Sequence, residues 1–171
     1  TANNNTAIGF NAGADLTTGT ANVAIGAYSL DAATTVSNNT GVGYYTLTAN
    51  TTGDYNTAVG SLVLSVNTTG ANNTAVGYAA LDANTTADYN TAVGGNALTA
   101  NTTGTQNDSF GYGSLEANTT GRNNTAIGYK SLHTSSTVDY NTAIGSEAMR
   151  LTTTGAQCVA VGYKALTANT T

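Results

Sequence analysis

A strict 17-residue period runs through the whole sequence. Ten copies begin at Asn5, Asn22, Asn39, Asn56, Asn73, Asn90, Asn107, Asn124, Asn141 and Cys158, and no copy contains an insertion. A single copy is too short to bury a core of its own, so each must stack on the next. The period therefore predicts an all-β chain, a parallel β-solenoid of ten 17-residue rungs, with residues 1–171 as one repeat array.

Each copy offers two segments that resemble short strands, numbered here from its opening residue as position 1. Positions 2 to 5 are predicted to form the first strand, with a small residue at position 3 and an apolar residue at position 4 in every copy. Neighbouring strand residues point to opposite faces, so both faces of this strand should be dry, one inside the solenoid and one against something outside it, such as a second chain. Positions 8 to 11 are predicted to form a second strand, with Leu or Met at position 9 inside and position 10, including His133, in water.

The remaining positions carry turn residues. Glycine at position 5 is expected to adopt positive φ or to allow a close backbone approach at the first corner. The ten turn glycines are Gly9, Gly26, Gly43, Gly60, Gly77, Gly94, Gly111, Gly128, Gly145 and Gly162. Asparagines at position 1 and at the start of the second turn should stack in columns and exchange amide hydrogen bonds.

Aromatic residues follow a rule of one ring for each rung. Where position 6 is small, at Ser61, Gly95 and Ser146, the residue six earlier is tyrosine. The remaining rung has alanine at both positions and offers Tyr28 next to them. The sequence therefore predicts one continuous column of rings in which Tyr55 and Tyr78 share a file. Its members are Phe10, Tyr28, Tyr44, Tyr55, Tyr78, Tyr89, Tyr112, Tyr129, Tyr140 and Tyr163.

The copies resemble the head repeats of YadA-like trimeric autotransporter adhesins, and similar repeats occur in phage tail fibres. The matching residues of one copy are Asn73, Ala75, Val76 and Gly77. The resemblance implies left-handed parallel β-rolls, three chains around a common axis and a role as a surface adhesin. Repeats of that family are usually shorter, so both a two-faced and a three-faced rung stay open.

Composition excludes several classes of function. Charged residues make up 8% of the chain and its net charge is −5, with no basic stripe to follow nucleic acid. No apolar run is long enough for a membrane span. The sequence contains no recognisable catalytic, cofactor-binding or metal-binding motif, and a lone Cys158 supports neither a disulfide framework nor a metal site. We therefore expect a non-enzymatic protein without a cofactor.

Six asparagines of Asn-x-Ser/Thr sequons fall at the second turn and are candidate glycan sites on an extracellular protein. They are Asn50, Asn67, Asn84, Asn101, Asn118 and Asn169. The alternative is that turn chemistry alone requires Asn and Thr at these positions.

Two functions fit this pattern. The first is a structural fibre or adhesin shaft on a cell or virion surface, which associates with copies of itself as a homotrimer or filament. The absence of a capping segment also suggests either a window of a longer array or units that stack end to end through their uncapped ends. The second is a surface-binding module that recognises ice or a polysaccharide, such as a host-surface glycan, through Asn and Thr arrays such as Asn50 with Thr52.

Overall fold

The computed structural model describes residues 2–168, and this part of the chain is all-β, with no helix. Ten three-residue strands lie 17 residues apart. They are β1 (Thr6–Ile8), β2 (Val23–Ile25), β3 (Thr40–Val42), β4 (Thr57–Val59), β5 (Thr74–Val76), β6 (Thr91–Val93), β7 (Asp108–Phe110), β8 (Thr125–Ile127), β9 (Thr142–Ile144) and β10 (Val159–Val161). The first strand predicted over positions 2 to 5 thus covers positions 2 to 4 of every copy and ends before the glycine.

The strands form one parallel sheet in chain order, β1 to β10. Each residue pairs with its equivalent in the next copy, as Ala58 does with Ala75 and Val59 with Val76. Like therefore sits on like, at about 4.8 Å per rung. The predicted parallel β-solenoid with a 17-residue repeat is confirmed.

The second strand predicted at positions 8 to 11 is wrong. These residues form consecutive turns, closed by hydrogen bonds such as that from Asn84 N to Leu81 O (3.1 Å). Positive φ at Ala79 (53°) and Leu81 (52°) prevents an extended backbone there. The turns still bond to adjacent rungs, as in Leu81 N to Ala97 O (3.1 Å), so stacking continues without a second sheet.

A thin core fills the interior. The predicted inward direction of position 9 is confirmed, because every Leu or Met there from Leu30 to Met149 is fully buried. Small residues at positions 3 and 8, such as Ala75 and Ala80, pack beside these leucines. In the first copy Gly13 replaces the leucine, and the side chain of Leu16 occupies the neighbouring space.

Two columns of buried asparagine join the rungs, as predicted. At position 1, the Asn73 Oδ1 accepts from the Asn90 backbone N (3.0 Å), and the Asn73 Nδ2 donates to Ala87 O (2.8 Å). At position 12, the Asn84 Nδ2 donates to Asn67 Oδ1 (2.8 Å) and also to Ala87 O (3.1 Å). One carbonyl at position 15 therefore accepts from both columns, which ties the second turn to the start of the strand.

Candidate interaction face

The outward face of the sheet carries a continuous row of apolar side chains at position 4, here called the aliphatic row. Its members are Ile8, Ile25, Val42, Val59, Val76, Val93, Phe110, Ile127, Ile144 and Val161. None of them is fully buried, and Ile127 and Ile144 keep more than a third of their surface exposed. The inward face of the strand is dry, as expected, but the outward face is uncovered in the single chain.

Threonine at position 2 shares this outward face in seven of the ten strands. Asp108 is the only charged residue at positions 2 or 4 in the whole array. A nearly uncharged face with a continuous apolar row differs from an ordinary solvated surface, where charged side chains are interspersed. The aliphatic row is therefore the strongest candidate for an interaction surface.

Two rows of residues flank the outward face, one at each end of the strands. The leading margin is the residue two before each strand (position 17 of the preceding copy), and the trailing margin is the residue two after it (position 6). For β4 these are Tyr55 and Ser61, and for β5 they are Asn72 and Tyr78. The tyrosines of both margins protrude, with Tyr55 and Tyr78 each 60% exposed.

The continuous aromatic column predicted from the sequence is wrong for a single chain. Tyr112 and Tyr129, both on the trailing margin, stack at 6.0 Å between ring centroids. Within residues 2–168, however, no ring contact joins a leading-margin tyrosine to any other ring. Tyr55 and Tyr78 belong to opposite margins and do not share a file, because the width of the strand lies between the two margins.

The rings near the amino-terminal end form a separate cluster. Between ring centroids, Tyr28, at position 7, lies 5.3 Å from Phe10 and 4.7 Å from Tyr45. The Tyr44 and Tyr45 centroids are 4.4 Å apart. Partial burial, reinforced by Tyr44 and Tyr28, raises the pKa of the Tyr45 hydroxyl above its usual value. These rings pack directly on one another and leave no space between them for a ligand.

Two trailing-margin rings near the other end carry a lysine. Lys130 Nζ lies 5.5 Å from the Tyr129 ring centroid, and Lys164 Nζ lies 5.1 Å from that of Tyr163. The hydroxyl of Tyr163, with help from Glu147, raises the pKa of Lys164. Such exposed cation–π contacts contribute only about 0.5 to 1 kcal/mol each, so they orient these rings more than they stabilise the fold.

The sequon asparagines of the second turn face the interior. Asn50, Asn67, Asn84, Asn101 and Asn118 are fully buried, and each Nδ2 donates to a backbone carbonyl three residues on. The folded solenoid leaves no room for a glycan on these five amides, and Asn169 lies outside the described residues. Turn chemistry accounts for these asparagines.

The Asn–Thr array proposed for ice or polysaccharide loses its asparagines for the same reason. Thr52 and its equivalents at position 14 are exposed, while the asparagine two residues earlier is inside. The threonine hydroxyl at position 13 is engaged within the chain, because the Thr51 Oγ1 donates a hydrogen bond to Thr68 O (3.1 Å). What remains on this edge is a single row of threonine on a bend rather than a flat two-column surface.

Several titratable side chains form hydrogen bonds or ion pairs with neighbouring rungs. His133 is not fully solvated as expected, because its Nδ1 lies 3.0 Å from Gly113 O and 3.4 Å from Glu116 Oε2. The carboxylate of Asp88 accepts from the Ala71 backbone N (2.7 Å), and Asp54 and Asp139 make the equivalent bond. Among residues 2–168 no three potential metal ligands cluster, no pocket forms and no helix could cross a membrane.

Comparison with known proteins adds no assignment. No protein-family model, curated protein or solved structure matches the chain. The functional argument therefore depends on the outward face itself.

Proposed function

We propose that this chain is a rigid shaft segment of an extracellular fibre or adhesin, in which copies associate side by side through the outward faces of β1–β10. The observation that carries the proposal is the aliphatic row, which runs along all ten rungs and is open to water in the single chain. Complete burial of a Val or Ile side chain is worth roughly 1.5 to 3 kcal/mol relative to full exposure. The row members from Ile25 to Ile144 are already more than half buried, so association would add a fraction of that value at each rung.

The body of the solenoid suits a shaft. Every rung is bonded to its neighbours around the turns as well as in the sheet, and no insertion interrupts the stack. The resemblance to adhesin head and tail-fibre repeats supports placement on a cell or virion surface. Repetition of one rung gives length and stiffness without a catalytic centre.

Sedimentation velocity of the purified protein over a range of concentrations tests this proposal. We expect a discrete oligomer that dissociates when Val76 and Val93 are both replaced by Asp, because two carboxylates would be placed in the covered face. Matched replacement of exposed Thr86 and Thr103 by Asp should leave the oligomer intact. A wild-type protein that stays monomeric at high concentration would rule out side-by-side association.

A further inference from the structure

The aromatic cluster near the amino-terminal end departs from the repeat at position 7. Two consecutive copies carry tyrosine there, at Tyr28 and Tyr45, whereas the other eight carry Asn, Leu, Ala, Gly, Lys or Glu. Position 7 has positive φ, 59° at Tyr28 and 54° at Tyr45, a conformation that favours glycine or asparagine over tyrosine. Residues kept in unfavourable conformations cluster at functional positions. Two tyrosines placed there on neighbouring rungs therefore need a reason beyond formation of the rung.

The backbone holds the two rings alongside each other. Tyr28 N donates to Phe10 O (2.9 Å), and the Tyr28 carbonyl accepts from Thr48 Oγ1 (2.9 Å). Tyr45 N makes the equivalent bond to Ala27 O (3.1 Å), one rung further on. The ring centroids are 4.7 Å apart, no farther than the rungs themselves at about 4.8 Å. The two side chains therefore run in the same direction, which brings the ring carbons next to each hydroxyl close to their equivalents.

No other two tyrosines on different rungs lie so close within residues 2–168. The centroids of Tyr112 and Tyr129 are 6.0 Å apart, and those of Tyr28 and Tyr44 are 6.5 Å apart. Tyr44 lies 4.4 Å from Tyr45, but it belongs to the same rung, and an angle of 60° between the planes presents an edge to a face. Tyr28 and Tyr45 are thus the pair best placed to react across a rung boundary.

The surroundings of this pair admit an electron acceptor more readily than a second chain. Tyr28 and Tyr45 are half-buried, whereas the adjoining Tyr44 is 52% exposed. A dissolved oxidant can therefore take an electron from Tyr44, which Tyr45 in contact with it can replace. Oxidised rings held side by side react with each other sooner than with another molecule, because their effective concentration is high.

We propose that Tyr28 and Tyr45 form an oxidative modification site, at which a one-electron oxidant, such as a peroxidase intermediate, joins the two rings by a carbon–carbon bond. Each phenol gives up one electron to the oxidant and one proton to water. The two phenoxyl radicals then form a bond between the ring carbons ortho to their hydroxyls. The hydrogens on those two carbons move to the phenolic oxygens, which restores both aromatic rings. Two oxidant molecules are each reduced by one electron.

The product is a covalent link between the rungs that begin at Asn22 and Asn39. It closes a loop of one 17-residue copy, from Tyr28 to Tyr45. A cross-link that closes a loop restricts the unfolded chain, so the linked protein should unfold at a higher urea concentration. The bond forms within one chain and does not depend on side-by-side association.

Oxidation of dilute protein followed by peptide mapping tests the site. The oxidant is a light-activated ruthenium complex with persulfate, which works in water and in urea. A protease that cleaves before aspartate separates Tyr28, in residues 15–30, from Tyr45, in residues 31–53. We expect these two peptides to be recovered joined, with the mass of two hydrogen atoms missing, from a chain that still runs as a monomer on a denaturing gel.

The same treatment in concentrated urea tests whether the fold directs the reaction. The yield of joined peptide should fall by about an order of magnitude or more, because unfolding removes the proximity of the rings. Equal yields from the folded and the unfolded chain would overturn the site.

Phenylalanine variants separate the chemistry from the packing. Tyr28→Phe and Tyr45→Phe keep the ring but lose the phenol, so each should match the wild type by circular dichroism and lose the joined peptide. Tyr78→Phe, at an exposed ring outside the cluster, is the matched control and should leave the yield unchanged. A joined peptide that persists in Tyr45→Phe would overturn the proposal. A link found only inside residues 31–53 would assign the bond to Tyr44 and Tyr45 and overturn the pairing across rungs.

Discussion

Glycine at position 5 is required by two separate constraints in the same rung. Gly77 has φ of 134°, and a Cβ placed on it would lie 2.6 Å from both the C and O atoms of Gly94 in the next rung. The positive φ would strain any residue with a side chain, whereas the close approach to Gly94 arises only because the rungs stack. The sequence predicted both readings for this glycine, and both are confirmed.

Alanine substitution at two of these glycines separates the constraints. Gly162 has a similar φ of 128°, but nothing lies within 4 Å of its virtual Cβ. Gly162→Ala should reduce the free energy of unfolding by about 1 to 3 kcal/mol through backbone strain alone. Gly77→Ala should cost about 1 to 3 kcal/mol more because the rung above must move. Urea denaturation measures both, and equal losses would contradict the close approach.

Removing one amide from the position 1 column tests its contribution. Asn73→Ala takes away the acceptor of the buried Asn90 backbone N and the donor to Ala87 O. We expect a loss of about 2 to 4 kcal/mol in the free energy of unfolding, since a buried unpaired group costs about 1 to 3 kcal/mol. Thr86→Ala is the control, because Thr86 is exposed and is not one of the positive-φ positions, and it should change stability by less than ~0.5 kcal/mol.

Leucine at position 9 shows what residue patterns do not convey. Its burial was predictable from the alternation of apolar and polar neighbours, but its φ of about 50° was not. A turn with positive φ at positions 7 and 9 also sends position 9 inward, so the pattern determined the direction of the side chain and not the conformation of the backbone.

At the scale of elements, the position 12 column ends in a defect. Asn118 Nδ2 donates to Asn101 Oδ1 (2.9 Å), but the Oδ1 of Asn118 has no hydrogen-bond partner. The next residue in the column is Ser135, whose hydroxyl donates to Thr152 O (2.6 Å) instead. One buried acceptor is left unpaired where the asparagine column stops.

Extending the column should stabilise the solenoid. Ser135→Asn supplies an amide that can donate to Asn118 Oδ1 and to Val138 O, as the preceding asparagines do. We expect the free energy of unfolding to rise by about 0.5 to 1.5 kcal/mol, the net value of a typical hydrogen bond. Thermal unfolding measures this change. Ser136→Asn, at the exposed neighbouring position, is the control and should leave the free energy of unfolding unchanged. A destabilised Ser135→Asn variant would contradict this account of the defect.

The strand and its flanks were predictable to different degrees. The apolar residue at position 4 correctly indicated an apolar outward face, and the second chain expected to cover it stays a prediction. The one-ring rule was also visible in the sequence, but its placement in one file was wrong, because sequence spacing does not show at which end of the strand each ring lies. The sequence also did not show that some neighbouring core residues depart from the repeat together. Gly41 replaces the usual alanine at position 3, and a Cβ there would lie 2.5 Å from Ser29 Oγ, so the glycine accommodates the buried hydroxyl of Ser29.

For the whole molecule, stability should depend on register as well as on length. Deleting residues 56–89 removes two whole copies and leaves Tyr55 followed by Asn90, so inward and outward positions keep their order. We expect this variant to unfold cooperatively at a lower denaturant concentration, because each rung contributes its own nearest-neighbour contacts.

A deletion shorter by one residue provides the control. Removing residues 56–88 retains Tyr89 as an extra residue, which shifts one rung against the next and would turn the inward side chains outward. Hydrogen exchange should then show loss of protection at the junction, with protection retained in rungs farther away. Equal protection in both variants would show that the 17-residue register is not required.

The inter-rung hydrogen bonds around each turn also determine how the molecule would respond to tension. A load applied at the two chain ends acts on the terminal rungs first, because a terminal rung is bonded to a neighbour on one side only. The rungs would therefore detach from the solenoid one after another, beginning at its ends. Each 17-residue coil would release roughly 60 Å of slack at about 3.5 Å per residue, so a rod pulled in this way would yield in equal steps and absorb work without failing at once.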